Sequence, residues 1–319
     1  MTAVHGERAH SKFSASGSER WFNCPGSVQL SEGLPDKDSV WSKEGTIAHE
    51  VLEEIMTVMI AAGATEVFYP QFQKSIPKEM IFHGTNAANF IMGLYAKTPG
   101  SEVLVETRTY LKFIHPEMFG TFDGAVVEHF GTLHVFDYKY GAGHAVSPKK
   151  NLQMIFYGIG LAQLYDWNFS NVRLWIIQPR IKGYDGPIFW DLSIMELKSY
   201  VGEFKRAVKR VQDNPSLYEE GPWCHWCKAK TKCPLKNEAR AGKAVDMFKS
   251  VPLPGRELIF GKGENENGFQ EKGGEGETEA PLKSEADWRK EKARLKKAFK
   301  EGKVEVKEKG VKLVEQDFF

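Results

Sequence analysis

The chain has almost no net charge, with 43 Lys+Arg against 42 Asp+Glu in 319 residues. The molecule as a whole is therefore no electrostatic magnet for nucleic acid, and any such binding must come from local placement of charge. No run of about 18 apolar residues is present, which excludes a transmembrane helix and leaves no membrane partner. The opening MTAVHGERAHSKFSASGSERW has no apolar core, so no secretory signal is expected and a reducing cytoplasm is the default compartment. Cysteine is scarce, at four. In that compartment four thiols are expected as metal ligands or free thiols rather than disulfides. Core-forming residues are plentiful, with 41% hydrophobic and 12% aromatic, enough for one large domain or two small ones.

The first forty residues are rich in Ser and Gly around one dense patch, Arg20-Trp21-Phe22-Asn23-Cys24-Pro25-Gly26. From Gly45 the period becomes helical: Ile47, Val51, Leu52, Ile55, Met56 and Met59 share a face, with Thr46 as a cap. A second helix is expected over 81–96. Strands follow, first at Val103, Val105 and Thr107, then at Phe122–Phe130 and Leu133–Lys139 as a hairpin turned at Gly131-Thr132. A helix over 151–166, a buried strand at Val172–Gln178 ended by Pro179, and an amphipathic helix over Ile194–Val211 complete the pattern. Helix, three strands, helix, strand is an α/β fold with a mixed central sheet. Residues 252–283, rich in Gly, Glu, Lys and Pro, read as a disordered linker. A basic helical pattern over 284–301 (Arg289, Lys290, Lys292, Arg294, Lys296, Lys297, Lys300) and the tail Gln316-Asp317-Phe318-Phe319 follow.

The hairpin carries the main chemical signal. Gly120-Thr121-Phe122-Asp123 opens one strand and Asp137-Tyr138-Lys139 closes the next. Residues 137 and 139 project from one strand face, and pairing of the two strands can bring Asp123 to Asp137. Two convergent carboxylates make a hard oxygen site suited to Mg²⁺ or Mn²⁺. A lysine beside them can position a water nucleophile or offset phosphate charge, which is the equipment for metal-assisted phosphodiester hydrolysis. The bland alternative is a polar solvent face. Against it stand the rarity of Asp inside strands, the apolar Val135-Phe136 before Asp137, and the Gly141-Ala142-Gly143 turn after it.

The cysteines read Cys224-His225-Trp226-Cys227, then five residues, then Cys233-Pro234, with Cys24 two hundred residues before Cys224. Three clustered thiols and one distant thiol can close a tetrahedral site of either zinc or iron–sulfur type. Either way the metal ties the start of the domain to its end, and holding it is linked to folding. His225 is a spare ligand. Trp21, Trp223 and Trp226 are expected to shield the site with apolar bulk.

The ordered set Gly45-Thr46-Ile47-Ala48-His49-Glu50, Gly120 to Asp123, Asp137 to Lys139, and Gln153-Met154-Ile155-Phe156-Tyr157 resembles the PD-(D/E)XK nuclease superfamily in its RecB-like, AddB-like branch. That branch shows a His on an early helix, G-x-x-D, D-x-K and Q-x-x-x-Y in this order. The resemblance spans roughly residues 20–235 and implies a restriction-endonuclease-like mixed sheet flanked by helices. It implies that His49, Asp123, Asp137 and the Tyr138 carbonyl bind metal and that Lys139 is the catalytic lysine. Gln153 and Tyr157, four apart on one helical face, would touch the DNA backbone or orient the site. Glu106 on the preceding strand would be an accessory carboxylate, and Glu50 is read as solvated. The proline that often precedes the first acid is Phe122 here, as is common in this branch.

One cysteine before such a core and three after it resemble the [4Fe–4S] staple of AddB-type and CRISPR-adaptation nucleases, so the resemblance implies that cluster on Cys24, Cys224, Cys227 and Cys233, with Zn²⁺ as the alternative. The segments His10–Ser16 and Trp21–Ser27 are similar to a bacteriophage group of RecB-like proteins. The expected function is a Mg²⁺- or Mn²⁺-dependent DNA exonuclease of phage replication or recombination, acting on single-stranded ends in the host cytoplasm. The rival is a non-catalytic DNA-binding or scaffold protein with a structural zinc site. The expected organisation is an N-terminal segment (1–44), a nuclease core (45–220), a three-cysteine segment (221–250), the linker (251–283), and a basic helix with tail (284–319). Lys149 and Lys150 are candidate phosphate contacts, the basic helix is a candidate nucleic-acid arm, and the aromatic tail is a candidate peptide for docking a replication or recombination protein.

Overall fold

A computed structural model describes residues 11–35, 40–65 and 76–237, together with the backbone of two strands at 304–307 and 310–313. The expected linker, basic helix and terminal Gln316–Phe319 lie outside the described residues. Val304–Lys307 and Gly310–Leu313 pair antiparallel, in a stretch read from sequence without strands. No helix among the described residues is long and apolar enough to cross a membrane.

The centre is a five-stranded mixed sheet in the order β1 (Glu102–Tyr110), β2 (Phe119–Val127), β3 (Thr132–Tyr138), β4 (Asn171–Ile177) and β5 (Ile188–Ser193). β3 and β4 run parallel and the other neighbours antiparallel. A parallel pair needs a crossover, and α5 (Leu152–Leu164) supplies it between β3 and β4. Ten of its thirteen residues are buried, as expected for a helix that is apolar all round and packed on both sides. α6 (Ile194–Asp213) is amphipathic instead and starts from a complete capping box between Ser193 and Glu196.

Two apolar layers enclose the sheet. On one face α5, α6, and the short helices α1 (Ser18–Asn23) and α2 (Gly26–Ser31) build a core that includes Phe13, Trp21, Phe156 and Phe204. On the other, α3 (Val40–Ala62) and α4 (Lys78–Ala96) pack Val51, Ile55, Met56 and Ile91 against Val126 and Phe136. The N-terminal segment is thus part of the main core.

Several sequence expectations are corrected. α3 begins at Val40, so it runs through the boundary drawn at residue 45, and Thr46 is no cap: its hydroxyl donates back to the Ser42 carbonyl from within the helix. Thr132 begins β3, and the chain reverses over Glu128–Gly131 with Phe130 at φ 63°. β5, α1 and α2 are additions.

His134 on β3 shows what burial demands of a polar side chain in this sheet. It is 6% exposed, and its Nδ1 accepts the Trp175 indole N–H at 3.1 Å. Burial, then the Arg173 guanidinium, push its pKa from 6.5 down to about 4. The unfolded imidazole takes its proton below pH 6.5 and the folded one only near 4, so stability present above pH 6.5 is lost as pH falls through that window. Urea unfolding should therefore show a decline from pH 6.5 to 4 that is steeper in the wild type than in His134→Gln, by up to about 3 kcal/mol. Equal declines would refute this account.

Candidate active site

The site lies where the sheet forks. β2–β3 pairing ends at Gly124–Phe136, whereas β3–β4 pairing continues to Tyr138–Ile177, and the Lys139 amide then donates to the Ile177 carbonyl at 2.8 Å. One step beyond the last β2–β3 pair, the register sets Asp123 across from Asp137. On the other side the β1–β2 register sets Glu106 across from Asp123, between the Val105–Gly124 and Thr107–Phe122 pairs. Three carboxylates therefore occupy one row across three strands.

The same row reverses the in–out alternation of β1 and β2. Val105 faces the α3–α4 layer, but Thr109 faces α5, packed against Gly160. On β2, Val126 joins the α3–α4 core, while Phe122 lies in the α5 core with its ring against Tyr157. Strict alternation would put the members of each pair on one face. The reversal coincides with Glu106 at φ 42°, a conformation sparsely allowed for a residue with a Cβ. It turns Asp123 out of the α5 layer toward α3, where His49 waits.

The Asp123 carboxylate is then fully committed. Oδ2 accepts the Tyr138 amide at 2.7 Å, a group that the lost ladder would have paired with β2, and Oδ1 lies 2.8 Å from His49 Nδ1. Asp137 is 2% exposed. Its Oδ1 accepts from Lys139 Nζ at 2.9 Å and from Gln153 Nε2 at 3.2 Å. Gln153 also accepts from Lys139 at 3.3 Å and donates to the Tyr157 hydroxyl at 3.1 Å. Asp137 Oδ2 sits 2.8 Å from the same ammonium as an ion pair, yet makes no hydrogen bond. A buried carboxylate oxygen without a hydrogen bond is rare and calls for an explanation.

Electrostatics divide the two acids. Burial opposes ionisation of Asp123, but His49, Lys139 and the Tyr138 amide outweigh it and hold its pKa below the usual carboxylate range. For Asp137, burial dominates and the Asp123 charge adds to it, so its pKa is raised despite Lys139. His49 and Lys139 both lose by burial and gain more from the neighbouring carboxylates, so both pKa values rise. A pair of acids pushed apart in this way, beside two bases, makes the fork a candidate site.

Sequence reasoning named His49, Asp123, Asp137, Tyr138, Lys139, Gln153 and Tyr157, and the fold gathers all of them. Glu106 joins as a row neighbour of Asp123 and adds to the field on Tyr157. Glu50 is half-buried and partnered rather than solvated. Lys149 and Lys150 are exposed just before the Asn151 cap of α5. Gln178 and Arg180, which gained no role from sequence, border the site. A lone Gln and Arg after a strand carry no periodic or spacing signal.

The four cysteines line one cavity with Arg20, Lys230 and Lys236. The Glu219 amide donates to Cys24 Sγ at 3.4 Å, and burial raises the Cys24 pKa. Among the described residues, no three His, Cys, Asp or Glu side chains are already drawn in to hold a metal ion. Of the three tryptophans expected to shield the thiols, Trp223 lines the cavity. Trp21 is buried in the α5–α6 core instead, and Trp226 is 76% exposed.

Residues 10–270 match the family described as protein of unknown function (DUF2800). The chain belongs to that family. Among solved structures, a candidate exonuclease from Eubacterium rectale aligns over 72% of this DUF2800 chain and 93% of its own, at 11% identity and a TM-score of 0.40. SSO0001 aligns over 72% and 89%, at 12% identity and a TM-score of 0.32. Likenesses so distant carry no argument about activity, which must come from the site itself.

Gly120 shows how closely the DUF2800 chain packs around the site. A Cβ there would lie 2.6 Å from the Ala15 Cβ and 3.0 Å from Tyr157 Cε1. Gly120→Ala should destabilise the fold by about 1–3 kcal/mol through overpacking, read as a lower urea midpoint. An unchanged midpoint would show that the Ala15 segment yields freely.

Proposed function

We propose that this DUF2800 protein is a divalent-metal-dependent deoxyribonuclease. The observation that carries the reading is the convergence of Asp123, Asp137, His49 and Lys139 at the fork, with Asp137 Oδ2 buried against the Lys139 ammonium at 2.8 Å. A structural ion-pair cluster is the competing account. Buried charges are costly unless well paired, and here two buried carboxylates share one row with a single lysine and the half-buried His49 beside them.

His49, Asp123, Asp137 and the Tyr138 carbonyl would hold Mg²⁺ or Mn²⁺, a set of mainly hard oxygen donors that suits these ions. A bound ion of this kind supplies Lewis acidity toward a phosphate oxygen and acidifies water. Lys139, kept in its ammonium form by Asp137, holds and orients water or offsets charge on the phosphate. Gln153 locks the Lys139 and Asp137 head groups together, and Tyr157 braces Gln153.

The resemblance to RecB-like nucleases supports the finer reading: an exonuclease acting on DNA with single-stranded ends, in phage replication or recombination within a bacterial host. We place a [4Fe–4S] cluster on Cys24, Cys224, Cys227 and Cys233. The thiols line one cavity, an amide is directed at Cys24, and Arg20, Lys230 and Lys236 would offset an anionic cluster. Its role is to fasten α1 and α2 to the segment after α6. Docking of a replication or recombination protein through the C-terminal tail belongs to the same proposal.

End-labelled single- and double-stranded DNA incubated with Mg²⁺ or Mn²⁺ tests the activity. Wild type should degrade it, and Asp137→Ala or Lys139→Ala should lower the rate at least about a hundredfold, the first by loss of a metal ligand and the second by loss of a group that stabilises developing charge. Equal rates in all three would end the nuclease reading. For the cluster, anaerobically purified protein should be brown and contain about four irons per chain, with Cys24→Ser both colourless and less stable. A colourless wild type with stoichiometric zinc would replace iron–sulfur by a zinc staple.

A further inference from the structure

The exit of β4, Gln178-Pro179-Arg180, touches both halves of the site. Gln178 is 6% exposed and fully engaged. Its Nε2 donates to the Gly141 and His144 carbonyls at 2.8 Å each, and its Oε1 accepts the Val146 amide at 2.9 Å. One side chain thereby shapes the loop that leaves Lys139. Two residues on, Arg180 Nη1 donates to Glu44 Oε1 of α3 at 2.9 Å and to the Tyr140 carbonyl at 3.4 Å. Its Nε lies 3.8 Å from Glu79 of α4, and its guanidinium lies 4.5 Å from the centre of the Tyr140 ring. Pro179 between them fixes its own φ and stiffens the connection.

The arrangement matters because of where α3 meets the core. Its first buried residue is Ala48, immediately before His49. The turns from Val40 to Thr46 extend beyond the packed layer, and Glu44 ties that overhang to the end of the sheet. A planar guanidinium suits this junction, since it can serve two carboxylates in its plane while its face lies on an aromatic ring. An ammonium cannot do both.

We infer that Arg180 is a positioning residue, which sets the separation between His49 on α3 and the Asp137–Lys139 pair at the end of β3 by clamping Glu44 to the Tyr140 backbone. The inference rests on the nuclease reading, in which those two halves share one divalent ion. Arg180 itself touches neither ion nor DNA in this scheme. Residues that orient ligands from behind commonly change metal affinity by about 10- to 100-fold.

The test uses the full chain and Mn²⁺ as the probe, with binding followed by electron paramagnetic resonance in the absence of DNA and nuclease rate measured in parallel. Arg180→Ala should weaken Mn²⁺ binding about tenfold or more and shift the Mn²⁺ dependence of the rate equally, with KM for DNA unchanged at saturating Mn²⁺. Arg180→Lys should restore little. Glu44→Gln, a milder change that spares the fold if Arg180→Ala does not, should move binding in the same direction. The double variant should bind no more weakly than Arg180→Ala alone, since both act through one contact. Wild-type binding with unchanged affinity in Arg180→Lys and Glu44→Gln overturns the inference and leaves the nuclease reading intact. Failure of the wild type itself to bind Mn²⁺ overturns both.

Discussion

β3 cannot stay paired with β2 and still leave room for Asp123, Asp137 and Lys139 to meet at its end. It parts from β2 after Phe136 while keeping its ladder with β4. That fork strands the Tyr138 amide, and a buried N–H without an acceptor would cost about as much as a lost hydrogen bond. Asp123 supplies the acceptor with one oxygen and reaches His49 with the other. A single backbone requirement therefore fixes the rotamer of one acid, the position of its histidine partner, and the opening into which Asp137 points. The strained Glu106 backbone and the reversed alternation of β1 and β2 follow from the same row.

The two faces of the sheet contribute different parts. α5 brings Gln153 and Tyr157, held within a helix whose other side chains are almost all buried, so these polar groups have little freedom. α3 brings His49 at the margin of its packed region, next to turns joined to the exit of β4 by the Arg180–Glu44 ion pair. One half of the site is held by packing alone, the other by packing together with an ion pair. Packing is insensitive to salt, whereas partly exposed ion pairs are screened. The α3 side is thus the adjustable one.

The cysteine cavity repeats, at larger scale, the logic of the fork. Residues far apart in sequence, at 24 and 224–233, are brought to one place by the packing of α1 against α6. The Glu219 amide on Cys24 and the indole of Trp223 stapled to the Glu219 carbonyl organise the approach. The helical layer under α5 closes there, so a metal bound to the thiols would restrain the layer that also carries Gln153.

Much was legible in the sequence because local rules govern it. The spacing of Val51, Leu52, Ile55, Met56 and Met59 dictates the buried stripe of α3, and the apolar run at 152–162 dictates a helix enclosed on all sides. The candidate site was legible only as an ordered set, His49, Asp123, Asp137–Lys139 and Gln153–Tyr157; taken singly, a histidine on an amphipathic helix is more often structural. β5 escaped detection as an edge strand whose Ile188 and Phe189 remain exposed, so no burial pattern marks it. Only the tertiary structure decided which way Asp123 points, since face alternation is a local regularity and its reversal at Glu106 is imposed by neighbouring strands. The same holds for Gln178 and Arg180, whose partners lie 32 to 136 residues away in the chain. Sequence determined which side chains could do chemistry; the geometry that assembles them depends on long-range contacts, and no local pattern encodes those.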